Sequence, residues 1–161
     1  MLAPEIPKDE QKRIKKLYAL NILDTAAEER FDRLTRLAKR AFNVDISIIT
    51  LVDSDRQWFK STTQPNSLPT ETTRDISFCA HAILGSEAMV VEDASLDERF
   101  KDNPLVINEP KIRFYAGYPL RTNNGSALGT LCVLASEPRH FSVEDLLILN
   151  DLGAMAELDI G

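Results

Sequence analysis

Apolar residues recur at two different periods along this chain, and the switches between them mark out helices and strands. From Lys8 to Leu23 a charge-rich stretch carries Ile14, Leu17, Tyr18 and Leu20 on a rough helical stripe, which predicts a first helix over about 8–23. Phe31, Leu34, Leu37, Ala38, Ala41 and Phe42 then fall at intervals of three and four with Arg and Lys opposite, giving an amphipathic helix with one face for a core. Thr25 and Glu28 ahead of it have capping-box spacing, the hydroxyl accepting a free N–H while the carboxylate reaches back. After Asn43 the pattern turns to strands. Asp45 to Asp53 is rich in β-branched residues, Ser54 to Arg56 reads as a turn, and Gln57 to Thr63 follows as a second strand.

Gln64 to Arg74, with two prolines and many hydroxyls, reads as a surface loop. Ser77 can cap a short helix ending at Leu84–Gly85; Met89 to Glu92 is a short strand. Ser95 to Pro110 is irregular, and Ile112 to Arg121 is a strand. Asn123, Asn124 and Gly125 form a turn signal suited to a two-residue hairpin, pairing that strand with Ala127 to Ala135. Gly117 and Gly129 inside these strands suggest close backbone approach or a bulge. Ser142 caps a last helix over about 142–159. The order predicts an α+β fold: a largely antiparallel sheet with the terminal helices on one face, and short helices and loops enclosing a pocket on the other.

The last helix is apolar around nearly its whole circumference, so it must bury two sides. One faces the sheet; the other either packs within the same domain or places Ile148, Leu152 and Met155 against a partner helix in a homodimer. The helix reaches Gly161 without a strong stop signal, which suggests a chain that continues into something downstream.

The 161 residues suit one domain, taken as 1–161 with its core at about 12–157. A net charge of −6 argues against a phosphate-neutralising surface, so nucleic acid is not an expected partner. No apolar run approaches a membrane span and Met1 to Glu10 lacks a signal core, so no membrane association is expected and a cytoplasmic setting is. Cys79 and Cys132, far apart in sequence, read as free thiols rather than a structural disulfide.

Reactive side chains are densest in Asp75 to Ile83. Cys79 and His81 diverge by about 200° around a helix, so they do not readily face one substrate, and no metal set can be completed. A binding pocket is better motivated. Its candidate lining is Cys79 and His81 near a helix start, Asp93 in the crossover, Arg113 with its donor fork, and the hydroxyls of Tyr115 and Tyr118. Thr130 and Cys132 share one strand face, and Trp58 completes the set. Lys12, Arg13, Lys15 and Lys16 read as a solvated helix face, and the remaining crossover charges as a self-paired loop. No catalytic residue is assigned and no cofactor is required. P-loop, Rossmann, GxSxG and HExxH patterns are all missing.

Leu23 to Thr25, Glu28 to Asp32, Arg56 to Lys60, Asp75 to Ile83, Arg113 to Gly117 and Leu128 to Val133 together resemble the GAF-domain family. The likeness is to GAF modules of bacterial sensor histidine kinases and of diguanylate cyclases or phosphodiesterases. It implies a GAF-like (profilin-like) antiparallel sheet, a ligand pocket, dimerisation through the terminal helices, and a downstream kinase or cyclic-di-GMP output domain. Family members bind varied small molecules, so the ligand stays unknown. Three functions follow: a regulatory module binding a small molecule, a ligand-free structural dimerisation module, or a thiol enzyme like the free methionine sulfoxide reductases, using Cys79 and Cys132.

Overall fold

A computed structural model describes residues 1–161. The helices are α1 (Glu10–Ala19), α2 (Glu29–Phe42), α3 (Phe78–Ala82), α4 (Pro104–Ile107) and α5 (Val143–Ile160). The strands are β1 (Ile46–Val52), β2 (Arg56–Thr62), β3 (Glu71–Thr73), β4 (Met89–Val91), β5 (Phe114–Arg121) and β6 (Ala127–Ala135). They form one sheet in the order β3-β2-β1-β6-β5-β4, antiparallel at every pairing. The fold is α+β, as the period switches require.

Strand alternation gives the sheet two apolar faces. Ile49, Leu51, Leu131 and Val133 join Phe31, Leu34, Ala38 and Phe42 of α2 and Leu149, Leu152 and Ala156 of α5 in the larger core. Ile48, Cys132, Leu134 and Tyr115 face the other way, onto α3 and the crossover from β4 to β5. Helix α1 adds Leu17 to the first core. Arg13 departs from the solvated face read for it: it is fully buried, its Nη1 donating to the carbonyls of Val52 (2.6 Å) and Ala127 (3.5 Å). Those carbonyls end β1 and begin β6, and a guanidinium is the side chain that can satisfy them from a helix.

Local signals at the element ends fare differently. Ser77 Oγ accepts the Ala80 N–H at 3.0 Å, and Ser142 with Asp145 forms a reciprocal capping box. Thr25 and Glu28 do not cap α2. Buried Lys60 takes both: its ammonium donates to Thr25 Oγ1 (2.8 Å) and pairs with Glu28 (2.7 Å), an ion pair that a desolvated charge requires. The expected loop Gln64 to Arg74 contains β3, whose β-branched Thr72 and Thr73 add an edge to β2. The β5–β6 hairpin has three loop residues rather than two. Gly125 N–H donates to Thr122 O (2.9 Å) and Thr122 N–H to Ser126 O (3.0 Å), and only Gly125 (φ 84°) takes the left-handed conformation. Gly117 and Gly129 are sites of close approach: an added Cβ would collide with the Tyr115 hydroxyl at the first and with the Thr50 carbonyl oxygen at the second.

Candidate functional site

A cavity of about 570 Å³ lies between the second face of the sheet and the crossover. Its floor follows strand alternation: Ile46, Ile48 and Thr50 from β1, Gln57 and Phe59 from β2, Tyr115 from β5, Cys132 and Leu134 from β6. Phe78 and Cys79 of α3, Leu68 and Pro69 of the β2–β3 loop, and Leu105, Pro110 and Ile112 of the crossover form the walls. Exposed Asp45, Glu109 and Ser136 stand at the rim. Aligned Phe78 and Phe100 rings, centroids 4.0 Å apart, brace α3 against the crossover.

The two thiols meet in this floor, their Sγ atoms 3.9 Å apart. Cys79 Sγ also accepts from Thr130 Oγ1 (3.0 Å) and the Tyr115 hydroxyl (3.3 Å). Burial pushes the Cys79 thiol up, but hydrogen bonds from Cys132, Thr130 and Tyr115 outweigh it and hold the group down at about 7. Its hydrogen bond to Cys79, together with burial, drives Cys132 the opposite way. Burial and the neighbouring thiols likewise raise Tyr115. The buried Thr50 hydroxyl lies in the same floor and acts to lower both thiols.

Of the candidates read from the sequence, Cys79, Tyr115 and Cys132 line the cavity, and Thr130 supports Cys79 from behind. Trp58 does not reach it: alternation turns Gln57 and Phe59 inward and Trp58 into the helix-side core. Tyr118 also lies on that side, its hydroxyl donating to Glu157 Oε1 of α5 at 2.9 Å. His81 projects away from Cys79, as helical spacing demands, with Nε2 3.0 Å from Leu2 O and its ring edge-on to Phe100. Asp93 caps a single helical turn by accepting from Ser95 N–H at 3.0 Å. Arg113 holds the crossover, donating to Val106 O (2.8 Å) and Ile112 O (3.1 Å). Ile46, Ile48, Thr50, Gln57 and Phe59 were legible as one face of two alternating strands. The wall residues from the loop and crossover carried no periodic signal.

An antiparallel sheet with helices on one face and a largely apolar cavity on the other defines a class of α+β domain. Within it, a GAF domain family model matches residues 26–160, and the chain belongs to that family. It is 44% identical over 139 residues, 86% of its length, to a cyclic di-GMP phosphodiesterase of Pseudomonas aeruginosa, and spans only 23% of that relative. Among solved structures, the GAF domain of an Acinetobacter phosphoenolpyruvate-protein phosphotransferase matches with TM-score 0.64 at 19% identity, covering 93% of this chain and 91% of that one. The free methionine-R-sulfoxide reductase of Neisseria meningitidis, bound to its substrate, matches with TM-score 0.65 at 18% identity over 99% and 95%. At those identities the two structures share the fold with this chain.

Proposed function

We propose that this chain is the regulatory sensory module of a signal-transduction protein, in which a small molecule in the cavity alters the packing of α5 and hence the pairing of two copies. The observation that carries this reading is the position of β5 between the two parts. Tyr115 lines the cavity, while Tyr118 and the Arg121 N–H (2.7 Å) both donate to Glu157 on α5. A ligand that shifts β5 therefore loads the helix directly, and it regulates only if it binds two helix arrangements with different affinity. The output is an enzyme domain outside this chain, of the kind named for the Pseudomonas relative, in a cytoplasmic setting. No helix here is long and apolar enough to cross a membrane.

The dimer surface differs from the stripe first assigned. Leu152 is buried in the core and Ile148 packs half-buried against it, leaving Met155 exposed. Val143 (77% exposed), Leu147 (54%) and Leu158 (83%) form the outer apolar line of α5, with exposed Ala154 between the last two. Their spacing of four, seven and four residues fits a partner helix. Native mass spectrometry of the freshly purified chain, paired with equilibrium sedimentation before and after ligand removal, tests the reading. A retained small molecule and a dimer constant that changes when it is stripped are expected; an empty, monomeric chain at high micromolar concentration ends it.

The thiol-enzyme reading gains one feature, the 3.9 Å approach of Cys79 and Cys132. Reduction of free methionine sulfoxide that disappears in Cys79→Ser would favour it over the regulatory module.

A further inference from the structure

We infer that the cavity is built for a compact apolar molecule bearing a positive charge, an aromatic or aliphatic amine, and that it rejects phosphate-bearing and other anionic ligands. This rests on the cavity being the regulatory site. None of its lining residues is Lys, Arg or His, and its only ionisable side chains besides Tyr115 and the thiols are the carboxylates Asp45 and Glu109. Neither carboxylate forms an ion pair. Asp45 Oδ2 accepts from Ser136 N–H (2.7 Å) and Oγ (2.9 Å), which fixes the carboxylate in place and leaves its negative charge uncompensated.

An anion entering here would lose water without gaining a cation, and would meet two negative charges at the rim. Its supply of N–H and O–H donors is also short. Gln57 is committed at both ends, accepting from Ser77 (2.6 Å) and donating to Thr72 (2.6 Å), and Ser136 is spent on Asp45. The guanidinium of Arg113, the residue after lining Ile112, is held by the carbonyls of the crossover. A cation meets the reverse situation: two carboxylates at the rim, and the rings of Phe59, Phe78 and Tyr115 within the cavity for its apolar body or for cation–π contact.

Three probes sharing an indole ring separate the effects: tryptamine (cationic), indole (neutral) and indole-3-acetate (anionic), with cyclic di-GMP as the phosphate-bearing control. Calorimetric titration of the chain should show tryptamine binding at least tenfold tighter than indole-3-acetate, and no binding of cyclic di-GMP. The double variant Asp45→Asn, Glu109→Gln should bring tryptamine and indole-3-acetate within about threefold of each other, leave indole unchanged, and keep the wild-type circular dichroism spectrum. Indole binding as tightly as tryptamine, or indole-3-acetate or cyclic di-GMP matching it, overturns the charge preference and leaves the sensory reading standing. No binding of any probe at millimolar concentration overturns both.

Discussion

At Cys79 the competition between burial and hydrogen bonding decides what the thiol can do. Burial alone would hold it protonated at neutral pH, but the Thr130 and Tyr115 hydroxyls point at the sulfur and favour the thiolate. Cys132, in contact with the same sulfur, moves the other way. Iodoacetamide should therefore modify Cys79 before Cys132, with a rate that rises through pH about 7 rather than near the usual thiol value of about 8.5. Thr130→Val should move that midpoint upward and slow the reaction at neutral pH. Peptide mapping by mass spectrometry across a pH series reads both, and preferential labelling of Cys132 would contradict the arrangement. Arg13 makes a second case in which the partners decide. It pairs with Glu10 (2.8 Å), and Glu10 bridges to Arg74 (2.5 Å), so one carboxylate serves two nearly buried guanidinium groups. Arg13→Met should cost roughly 3 kcal/mol by urea unfolding, because it strands the Val52 carbonyl and unbalances that cluster. Partial burial raises Glu10, yet its bonds to Arg74 and Arg13 win and hold it below the ordinary glutamate range. Its stabilising contribution is thus complete above about pH 4.3 and is lost as pH falls through the lower folded value. The acid limb of the stability curve should be shallower in Arg13→Met.

At the level of elements, α5 has two apolar faces, one packed in the core and one exposed, and substitutions on each should fail differently. Leu152 packs in the sheet-side core, so Leu152→Ala should cost about 2–4 kcal/mol of stability whatever the protein concentration. Leu147→Glu and Leu158→Glu alter exposed positions and should leave the unfolding midpoint of a dilute monomer within about 0.5 kcal/mol. The same changes should weaken self-association tenfold or more, as measured by equilibrium sedimentation. Equal loss of stability in all three would mean that the outer stripe is packed against this chain itself. The all-round apolarity visible in the sequence announced two apolar faces, but the angular phase that tells them apart was set by where Tyr118 and Glu157 lock the helix onto β5.

For the whole molecule, the sheet is a shared wall: one face closes the helix-side core and the other forms the floor of the cavity. A ligand that binds only the folded state stabilises it by mass action, about 2.7 kcal/mol at a hundred times its dissociation constant. Tryptamine at that excess should raise the unfolding midpoint in thermal denaturation, whereas Ile48→Trp, which projects bulk into the floor, should abolish the increase. A fold that still shows the full increase in Ile48→Trp would place the bound probe elsewhere.

What the sequence determined by itself was local and periodic. The 3.6-residue stripe of α2, the alternation of β1 and β6, the Ser77 and Ser142 caps and the glycine at the hairpin all follow from interactions within a few residues. Those were enough for the α+β order and for one face of the cavity floor. The tertiary structure alone decided which long-range partner each polar side chain takes. Lys60 claimed Thr25 and Glu28 from the start of α2, and two strand-end carbonyls drew Arg13 out of water. Packing of α3 onto the sheet brought together two thiols 53 positions apart in sequence. A buried charge or thiol must find its partners wherever the backbone delivers them, and no local period encodes that delivery.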